Sequence, residues 1–283
     1  MVDIIIPVYN SLDTLSKTLD SIMRQTYYEI ADIYIIDDCS DCSYDDLLSK
    51  YKDLKIHYYR MDINGGPGVA REKGLSISNN KYIVFIDSDD YFLEDFSLEF
   101  LFNEIDSYDL DYVNAQTYSE KLKGYYFNDA DLHSKIYRRE FIEKYDLHFN
   151  NTRYHEDNLF NNMVIACKPR LHFIKMVLYY YSCNEDSLTN NNEYNEFEKL
   201  EVLLSNTKIF LEETKKRNCN REIVLRLLAS KVNYFNRILY KFSDSQVEQL
   251  KEWMDKYNIQ LKQYLGRKDE KNVIDEIVNT YDY

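Results

Sequence analysis

The sequence predicts an α/β fold in which a mostly parallel sheet is flanked by helices and followed by an α-helical C-terminal extension. Two observations support this prediction. Short runs rich in Ile, Val and Tyr alternate with segments of helical periodicity over the first two thirds of the chain, as in βαβ units. From about residue 193 the periodicity is helical throughout, with one glycine and no proline after residue 190.

The first half of the chain alternates strands and helices. Strands are predicted at residues 3–8, 33–38, 54–59 and 81–87, where β-branched and aromatic residues concentrate. A helix is predicted from Ser11, as its N-cap, to about Gln25, because leucines and isoleucines recur on one face. Between the third and fourth strands, NGGPGVAREKGLSIS predicts a glycine-rich turn that enters a further helix.

The pattern then predicts a helix at about 95–105, a strand at 110–118, a helix-bearing segment at 133–168 and a strand at 171–182. The polar stretch TNNNEYNE marks the predicted boundary between a domain of residues 1–190 and a helical extension of residues 191–283. No internal repeat interrupts this order.

Composition and charge exclude some classes of protein. The 283 residues, of which 45% are hydrophobic, are enough for a folded core. The net charge is −14, and residues 190–283 hold 16 basic and 16 acidic side chains, which leaves 19 of the 35 basic and 33 of the 49 acidic residues in the first 189. A domain this acidic is not suited to binding nucleic acid, because the phosphates of nucleic acid need a basic protein surface.

The sequence also bears on cellular location. The chain enters a strand-like run at once, without the basic and apolar segments of a signal peptide, and it contains no apolar run of roughly 18 residues. Five scattered cysteines do not form the pattern of a disulfide framework. We therefore expect a cytoplasmic protein with reduced thiols, and peripheral contact with the inner face of a membrane stays open.

Three carboxylates follow the fourth predicted strand in the stretch YIVFIDSDDY (82–91): Asp87, Asp89 and Asp90. Like charges at contact distance repel, and one carboxylate would take up a proton unless a cation lies between them. Carboxylate oxygens are hard ligands, and together with phosphate they suit Mg²⁺ or Mn²⁺. An Asp-X-Asp after a strand is also common as a simple turn, so the interpretation depends on the neighbouring strand ends.

The first two predicted strands also end in aromatic or polar residues, Tyr9 and Asn10 in one case and Asp37 and Asp38 in the other. In open parallel sheets, ligands bind outside the carboxyl ends of the strands. A nucleotide across these ends would stack its base near Tyr9, meet Asp38 at a base N–H and leave its diphosphate beside the acidic end of the fourth strand.

Five blocks in this order, IIIPVYN, IIDDCSD, NGGPGVAREKGL, YIVFIDSDD and YHEDNLF, resemble family 2 glycosyltransferases of the Rossmann-like GT-A fold. The resemblance covers roughly residues 1–190 and includes HSKIYRREFIEKYDLHF, which is similar to the acceptor-side segment of that family. It implies a nucleotide-sugar half at about 1–110 and an acceptor half at about 111–190. The implied activity is transfer of a sugar, with inversion, from a nucleotide-sugar donor, by default a UDP-sugar, to a glycan, a lipid-linked carrier or a protein.

On the donor side, the resemblance implies a pocket formed by Pro7, Tyr9, Asp38, Arg71, Asp87 and Ser88. Asp38 would pair with the base, and Arg71 would reach the base or the phosphate. Asp87 would approach the ribose or the metal, and Asp89 would ligate Mn²⁺ or Mg²⁺.

On the acceptor side, the resemblance implies that Asp157 is the catalytic base and that Glu156 supports or orients it. A carboxylate can take the proton of an attacking hydroxyl. An acidic first turn is also favoured by a helix dipole alone, and the other four blocks are what favour the catalytic interpretation. The chain departs from the family pattern at Cys39, Glu72 and Ser182.

Two other functions stay open at the level of sequence. VFIDSDD also resembles the strand and Asp-X-Asp of haloacid dehalogenase type phosphatases, although Tyr91 stands where those enzymes need a small or β-branched residue. A non-catalytic scaffold or binding module can keep the same fold. Cys39 and Cys42 form a C-x-x-C, but no second pair follows at zinc-site spacing.

The segment 215–241 holds eight basic residues against one acidic residue, Glu222. On a helical wheel, Arg226, Arg237 and Lys241 lie opposite an apolar face formed by Val224, Leu227, Leu228, Val232, Phe235, Ile238 and Leu239. Two interpretations stay open. The apolar face packs on the catalytic domain or in a homo-oligomer, or the helix docks on an anionic membrane that carries a lipid-linked acceptor.

Overall fold

The computed structural model describes residues 1–127, 130–152, 154–183, 196–238, 241–265 and 272. The chain forms two compact units, one of residues 1–161 and 169–191 and the other of residues 162–168 and 192–283. Residues 162–168 therefore group with the second unit, although they precede the predicted boundary at residue 190. The division of the first 190 residues into a donor half and an acceptor half stays a prediction.

The first unit contains a nine-stranded sheet. Its strands, in chain order, are β1 (Val2–Val8), β2 (Ala31–Asp37), β3 (Lys55–Arg60), β4 (Tyr82–Phe85), β5 (Tyr91–Phe92), β6 (Tyr112–Ser119), β7 (Gly124–Tyr126), β8 (Lys135–Arg138) and β9 (Leu171–Tyr181). Their spatial order is β3-β2-β1-β4-β8-β6-β9-β5, with β7 paired to β6. β3, β2, β1 and β4 are parallel to one another, as are β6 and β9. The remaining pairs are antiparallel.

The predicted α/β sheet is confirmed, and its parallel half consists of the four strands that were predicted first. β8 lies instead in the segment 133–168, for which the sequence predicts helices. Its four residues are all buried although two of them, Lys135 and Arg138, are charged, and so short a segment has no periodicity that distinguishes a strand from a helix. Because β8 inserts antiparallel between β4 and β6, the sheet as a whole is mixed.

The helices of the first unit are α1 (Leu12–Met23), α2 (Asp45–Leu48), α3 (Pro67–Ile77), α4 (Ser97–Ser107), α5 (Arg139–Lys144) and α6 (Glu156–Ala166), the last of which continues into the second unit. α1 buries Leu15, Leu19 and Ile22 of its predicted apolar face, whereas Leu12 and Met23, at the two ends of the helix, are exposed. Ser11 occupies the N-cap position of α1, but its hydroxyl makes no capping bond. Its backbone carbonyl accepts the N–H groups of Thr14 and Leu15 instead.

Two glycines position α3. Gly66 precedes the helix with φ of 88°, a left-handed conformation that glycine adopts without steric cost. A Cβ on Gly74 would lie 2.5 Å from Ile5 Cγ2, so the absence of a side chain allows α3 to lie close against β1. The first turns of α3 therefore lie near the carboxyl ends of the parallel strands.

The second unit is helical, as predicted, with α7 (Glu196–Lys216), α8 (Arg221–Ile238) and α9 (Asp244–Leu265). A small core joins α7 to α9 and is formed by Leu200, Leu203, Leu204 and Leu250. Among the described residues, no helix is both long and apolar enough to cross a membrane.

The basic helix of the sequence analysis is α8. Val224, Leu228 and Val232 of its apolar face are buried, whereas Arg226 and Arg237 are exposed. Leu239 and the side chains of Phe235 and Ile238, which belong to the same predicted face, lie outside the described part of the chain. The choice between packing and membrane docking stays a prediction.

Candidate active site

The carboxyl ends of β1, β2 and β4 lie side by side at one edge of the sheet. Val8, at the end of β1, pairs with Asp37 at the end of β2, and β4 pairs with β1 on its other side. Tyr9 is 50% exposed at this edge, whereas Pro7 is buried within β1. The residues that follow the three strands, Ser88 among them, therefore meet here, as the sequence predicts for parallel neighbours.

Asp37 is a buried carboxylate that shapes the loop after β2. It accepts hydrogen bonds from the Tyr58 hydroxyl at 2.6 Å, from Arg60 Nη1 at 2.9 Å and from the backbone N–H of Ser40 at 2.9 Å. With these partners Asp37 stabilises the end of β2, and it supports the position of its neighbour Asp38.

Asp38 closes the glycine-rich turn that leads into α3. Its side chain is buried, Oδ1 accepts the backbone N–H of Gly65 at 2.8 Å, and Oδ2 accepts that of Gly66 at 2.7 Å. The role of Asp38 as partner of a nucleotide base stays a prediction. The bonds to the turn are an additional role that the sequence did not reveal.

Arg71, in α3, connects the predicted donor side of the site to the predicted acceptor side. Its Nη2 donates to Asp87 Oδ1 and its Nη1 to Glu156 Oε1, each at 2.6 Å. The side chain is 6% exposed, and its Nε has no hydrogen-bond partner among the described residues. Contact of Arg71 with a base or phosphate stays a prediction, because its terminal nitrogens here bind two carboxylates of the protein itself.

The bridge is an ion pair on both sides. Burial opposes a charge on the guanidinium, yet Asp87 and Glu156 raise the pKa of Arg71, so it stays protonated. Burial would likewise raise the pKa of Asp87, but Arg71 and His133 hold the pKa of that carboxyl well below its usual range. Asp87 is therefore ionised at neutral pH.

Gly68 allows this bridge to form. A Cβ at position 68 would lie 2.7 Å from the Asn150 carbonyl oxygen and 2.8 Å from Glu156 Cγ, and neither distance accommodates a methyl group without movement. The glycine that the sequence analysis treated as a turn residue therefore lets α3 approach the start of α6.

Glu156 and Asp157 are the first two residues of α6. Glu156 is buried and Asp157 is half-buried, with Oδ1 of Asp157 accepting the backbone N–H of Asn158 at 2.6 Å. Burial raises the pKa of Glu156 to about 7, and the charge of Asp157 adds to the rise. Burial also raises the pKa of Asp157, against the lowering effect of Arg71. Both carboxyl groups therefore hold protons more tightly than ordinary acidic residues do.

The carboxylates after β4 have different surroundings. Asp87 is 30% exposed, Asp89 is partly buried and Asp90 is completely buried. His133 Nε2 lies 3.6 Å from Asp87 Oδ2 and 3.5 Å from Asp90 Oδ2. Within the described part of the chain, Asp87, Asp90 and His133 each offer a ligand atom, and these atoms lie within 4.8 Å of one another.

Asp90 is also held by the protein. The Tyr179 hydroxyl donates to its Oδ2 at 2.9 Å, and the backbone N–H of Ser182 donates to its Oδ1 at 2.8 Å. Burial raises the pKa of Asp90 well above its ordinary value, and repulsion by Asp89 and Asp87 adds to this. Ser182, one of the departures from the family pattern, thus contributes to the site through its backbone.

His133 is fixed in orientation. Its ring stacks between Tyr179 and Tyr181, with centroids 5.0 and 4.7 Å away, and its Nδ1 lies 3.4 Å from Asp131 Oδ2. Lys135 Nζ in turn donates to Asp131 Oδ1 at 2.8 Å. Burial alone would lower the pKa of His133, but Asp131 and the carboxylates after β4 raise it well above the usual value. The imidazole therefore presents Nε2 to the acidic cluster.

Sequence reasoning did not identify Asp131, His133 and Lys135 as site residues. Two of them lie in the acceptor-side segment that carries the resemblance, but five histidines without ligand spacing give no metal signal. Only the placement of β8 beside β4 brings them to the carboxylates, and no local pattern encodes that placement.

Comparison with known proteins supports the resemblance to family 2 glycosyltransferases. The family model for glycosyl transferase family 2 matches residues 3–167, more than half of the chain. The poly(ribitol-phosphate) beta-glucosyltransferase of Bacillus spizizenii is 42% identical over 94 residues, which are 32% of this chain and 15% of that protein. The glycosyltransferase GlyA of Streptococcus pneumoniae is 24% identical over 220 residues, 66% of this chain and 31% of that protein. The chain thus matches less than a third of the length of either relative.

A further relative is the UDP-Glc:alpha-D-GlcNAc-diphosphoundecaprenol beta-1,3-glucosyltransferase WfaP of Escherichia coli, 40% identical over 93 residues, 33% of this chain and 37% of that protein. Among solved structures, residues 1–349 of TarS from S. aureus in complex with UDP-GlcNAc superpose with a TM-score of 0.74 at 20% identity, covering 90% of this chain and 78% of the other. This similarity confirms the GT-A-like fold. The chain belongs to glycosyl transferase family 2.

Proposed function

We propose that the chain is an inverting, metal-dependent glycosyltransferase that moves a sugar from a nucleoside diphosphate sugar to an acceptor hydroxyl. The observation that carries this proposal is the bridge that Arg71 forms between Asp87, after β4, and Glu156, beside Asp157. Such a transfer needs neutralisation of charge on the leaving diphosphate and a base at the acceptor hydroxyl. The bridge holds, on one guanidinium, Asp87, which would ligate the cation that neutralises the diphosphate, and Glu156, the neighbour of the proposed base.

A UDP-sugar is the proposed donor. The solved TarS structures hold UDP-GlcNAc and UDP, and the name of the Escherichia coli relative specifies UDP-Glc. In this chain Tyr9 is half exposed at the strand ends, where a base would stack. The bonds from the N–H groups of Gly65 and Gly66 fix the orientation of the Asp38 carboxylate, to which we assign a uracil N–H.

Mn²⁺ or Mg²⁺ fits the residues after β4. Asp87 and Asp89 are the ligands expected from the resemblance, and Asp87, Asp90 and His133 offer ligand atoms within 4.8 Å of one another. Carboxylate oxygens suit both ions, and His133 would add a nitrogen ligand on losing its proton. Asp131 lies 3.4 Å from the other ring nitrogen of His133, as the outer carboxylate of a metal-binding histidine usually does. When bound, the cation supplies positive charge to the leaving diphosphate.

Asp157 is the proposed base. The acceptor oxygen forms a bond to the anomeric carbon on the face opposite the diphosphate, the bond from that carbon to the diphosphate oxygen breaks, and the configuration inverts. Asp157 takes the proton that the hydroxyl loses, and its raised pKa brings its basicity closer to neutral pH. Glu156, held by Arg71, keeps the first turn of α6 in position.

The acceptor is proposed to be a hydroxyl of a glycan, a lipid-linked carrier or a protein. The relatives named for poly(ribitol-phosphate) and for GlcNAc-diphosphoundecaprenol support the first two classes over the third. Both names describe acceptors that carry phosphate, and this acidic chain would approach such an acceptor with a cation between them.

The proposed base is tested by Asp157→Asn, which keeps the shape of the side chain and removes the proton acceptor. Transfer from a UDP-sugar to ribitol phosphate polymer or to undecaprenyl-linked GlcNAc should fall by about 10²- to 10⁴-fold, while UDP with Mn²⁺ still raises Tm. Asp53→Asn, in an exposed turn, is the matched control and should keep full activity. Equal loss of UDP binding in Asp157→Asn would assign Asp157 to nucleotide binding instead.

The donor and the metal are tested together by thermal shift with UDP, GDP, dTDP and CMP, each with and without Mn²⁺. Selective stabilisation by UDP with Mn²⁺, lost in Asp89→Ala, is the expected result. An unchanged, EDTA-insensitive transfer activity in Asp89→Ala would contradict its assignment as a ligand. Hydrolysis of a generic phosphate ester would instead favour the haloacid dehalogenase type phosphatase. A Tm that no nucleotide changes would favour a non-catalytic binding module.

For the second unit we favour packing over membrane docking, because Val224 and Leu228 of α8 are buried. Flotation with anionic vesicles at low salt should therefore leave the protein unbound. Binding that weakens with salt and with charge reversal at Arg226, Arg237 and Lys241 would instead support docking to a membrane.

A further inference from the structure

Two thiols of the second unit face each other at the junction of three helices. Cys167 is the residue after α6, and Cys219 lies in the turn between α7 and α8. Their Sγ atoms are 3.3 Å apart, although the two residues are separated by 52 positions in the sequence. Cysteines brought into contact from so far apart are held there by the fold and not by local sequence.

The backbone on both sides fixes the two thiols. The N–H of Asn220 donates to the carbonyl of Ala166 at 3.0 Å, which ties the residue after one cysteine to the residue before the other. Cys167 N–H donates to Met163 at 3.1 Å, and Cys219 N–H donates to Thr214 at 3.0 Å. A disulfide bond is about 2.05 Å long, so the sulfur atoms need to approach by roughly 1.3 Å. Side-chain rotation supplies such a movement without breaking these backbone bonds.

From this geometry we propose that Cys167 and Cys219 form a reversible intrachain disulfide bond. The other three cysteines have different surroundings: Cys183 is exposed, and Cys39 donates to the carbonyl of Asp62. The C-x-x-C of the sequence analysis is therefore not the pair that the fold brings into contact. Neither proposed donor residues nor the proposed base take part, so this inference is independent of the proposed function.

The two thiols differ in a way that suits disulfide exchange. Cys219 is half-buried, and a hydrogen bond with Cys167 together with the charge of Arg217 lowers the pKa of Cys219. The same hydrogen bond and burial raise the pKa of Cys167, which is 5% exposed. Cys219 is also the more accessible of the two thiols, so we assign it as the attacking thiolate and Cys167 as the resolving thiol.

The oxidant is a low-molecular-weight disulfide. The Cys219 thiolate attacks one of its sulfur atoms and expels the other half as a thiolate. Cys167 then loses its proton, attacks Cys219 Sγ and expels the second half. Two protein thiols are oxidised to one disulfide, and one small disulfide is reduced to two small thiols.

The bond would close a long loop and fasten the end of α6, the helix that begins with Glu156 and Asp157. Closing a loop of this length reduces the conformational entropy of the unfolded chain, so the oxidised protein should have a higher Tm than the reduced protein. Reduction should restore the original Tm.

The test uses the full chain, reduced and then incubated with oxidised glutathione. Free thiols are counted after denaturation, and the bond is mapped by mass spectrometry of peptides. Two of the five thiols should be lost, with Cys167 linked to Cys219, and dithiothreitol should return them. Cys183→Ser is the matched control and should still lose two thiols, whereas Cys167→Ser and Cys219→Ser should form no intrachain bond.

A glutathione adduct retained at Cys219 in the Cys167→Ser variant is further expected, because the resolving thiol is absent. Five free thiols in the oxidised wild-type protein, or a bond that joins any other pair, would overturn the proposal. Should either serine variant fail to fold, the peptide map of the wild-type protein decides the question by itself.

Discussion

Replacing Arg71 by methionine removes the charge at the centre of the site and keeps most of the side-chain volume. The guanidinium binds Asp87 and Glu156 at 2.6 Å each. In Arg71→Met both carboxylates lose their cation, while the apolar stem still fills the space beside Phe149, whose ring lies 6.0 Å from the guanidinium carbon. The change in stability of this variant therefore reports the loss of the charge and not a loss of packing.

The expected cost follows from burial. The side chains of Arg71, Glu156 and Asp87 are 6%, 7% and 30% exposed, so water screens the interaction weakly. Removing one partner of a buried ion pair costs about 3–5 kcal/mol, because the other partner remains as an uncompensated charge. We therefore expect Arg71→Met to lower the free energy of unfolding by about 3–5 kcal/mol. Above pH 7, where Glu156 is ionised, adding Glu156→Gln should recover part of this loss, since it removes one stranded carboxylate.

Urea denaturation of the purified variants is the measurement, and α8 offers the control. Arg226 donates to Glu222 at 2.7 Å in a pair whose side chains are both 63% exposed. Such a pair contributes about 0.2–1 kcal/mol, so Arg226→Met should be nearly neutral. Equal effects of Arg71→Met and Arg226→Met, or no recovery on adding Glu156→Gln, would refute the reasoning that Arg71 acts as a buried counterion.

Two further predictions concern the same region. Gly68→Ala should lower the free energy of unfolding by about 1–3 kcal/mol, because the added Cβ would lie 2.7 Å from the Asn150 carbonyl oxygen. Gly124→Ala is the control and should be nearly neutral in the same denaturation assay, because the nearest atom to its added Cβ is 3.8 Å away. Equal effects of the two substitutions would contradict the close approach of α3. The pKa of Glu156 is about 7 in the folded protein and 4.5 for the ordinary side chain, so the folded state binds the proton more tightly and stability falls as pH rises between these values. Glu156→Gln should flatten this part of the pH profile of stability, by up to about 1.4 kcal/mol per pH unit, and an unchanged slope would count against the shift.

Three of the four parallel strands, β1, β2 and β4, could be predicted from sequence because they are buried on both faces, whereas β3, at the edge of the sheet, is largely exposed and was predicted from its aromatic residues. β1 and β2 are almost wholly buried, which explains their continuous apolar runs. The strand bounds were less well determined. The fourth strand was predicted at 81–87 but β4 ends at Phe85, because apolar residues can continue beyond the end of a ladder without changing the pattern.

The connections within the site could not be predicted, because they join residues far apart in the chain. Arg71 and Glu156 are separated by 85 positions, and no local sequence pattern around either residue predicts its contact with the other. β8 is a second example, since four buried residues contain too little periodicity to reveal a strand. Family resemblance supplied candidate residues at the ends of the strands, whereas the partners of those residues depend on how β8 and α6 pack against the sheet.

The charged groups of the site indicate which charge must accompany a bound ligand. Its cations are Arg71, His133 and Lys135, and its carboxylates are Asp87, Asp89, Asp90, Asp131, Glu156 and Asp157. The acidic groups outnumber the basic ones by six to three, and burial, together with repulsion by Asp89 and Asp87, raises the pKa of Asp90. An anionic diphosphate would increase that excess, so it can approach only together with a cation. A divalent ion beside Asp87 would both offset the acidic cluster and provide the phosphate with a counterion, so we expect nucleotide binding to depend on metal binding in this protein.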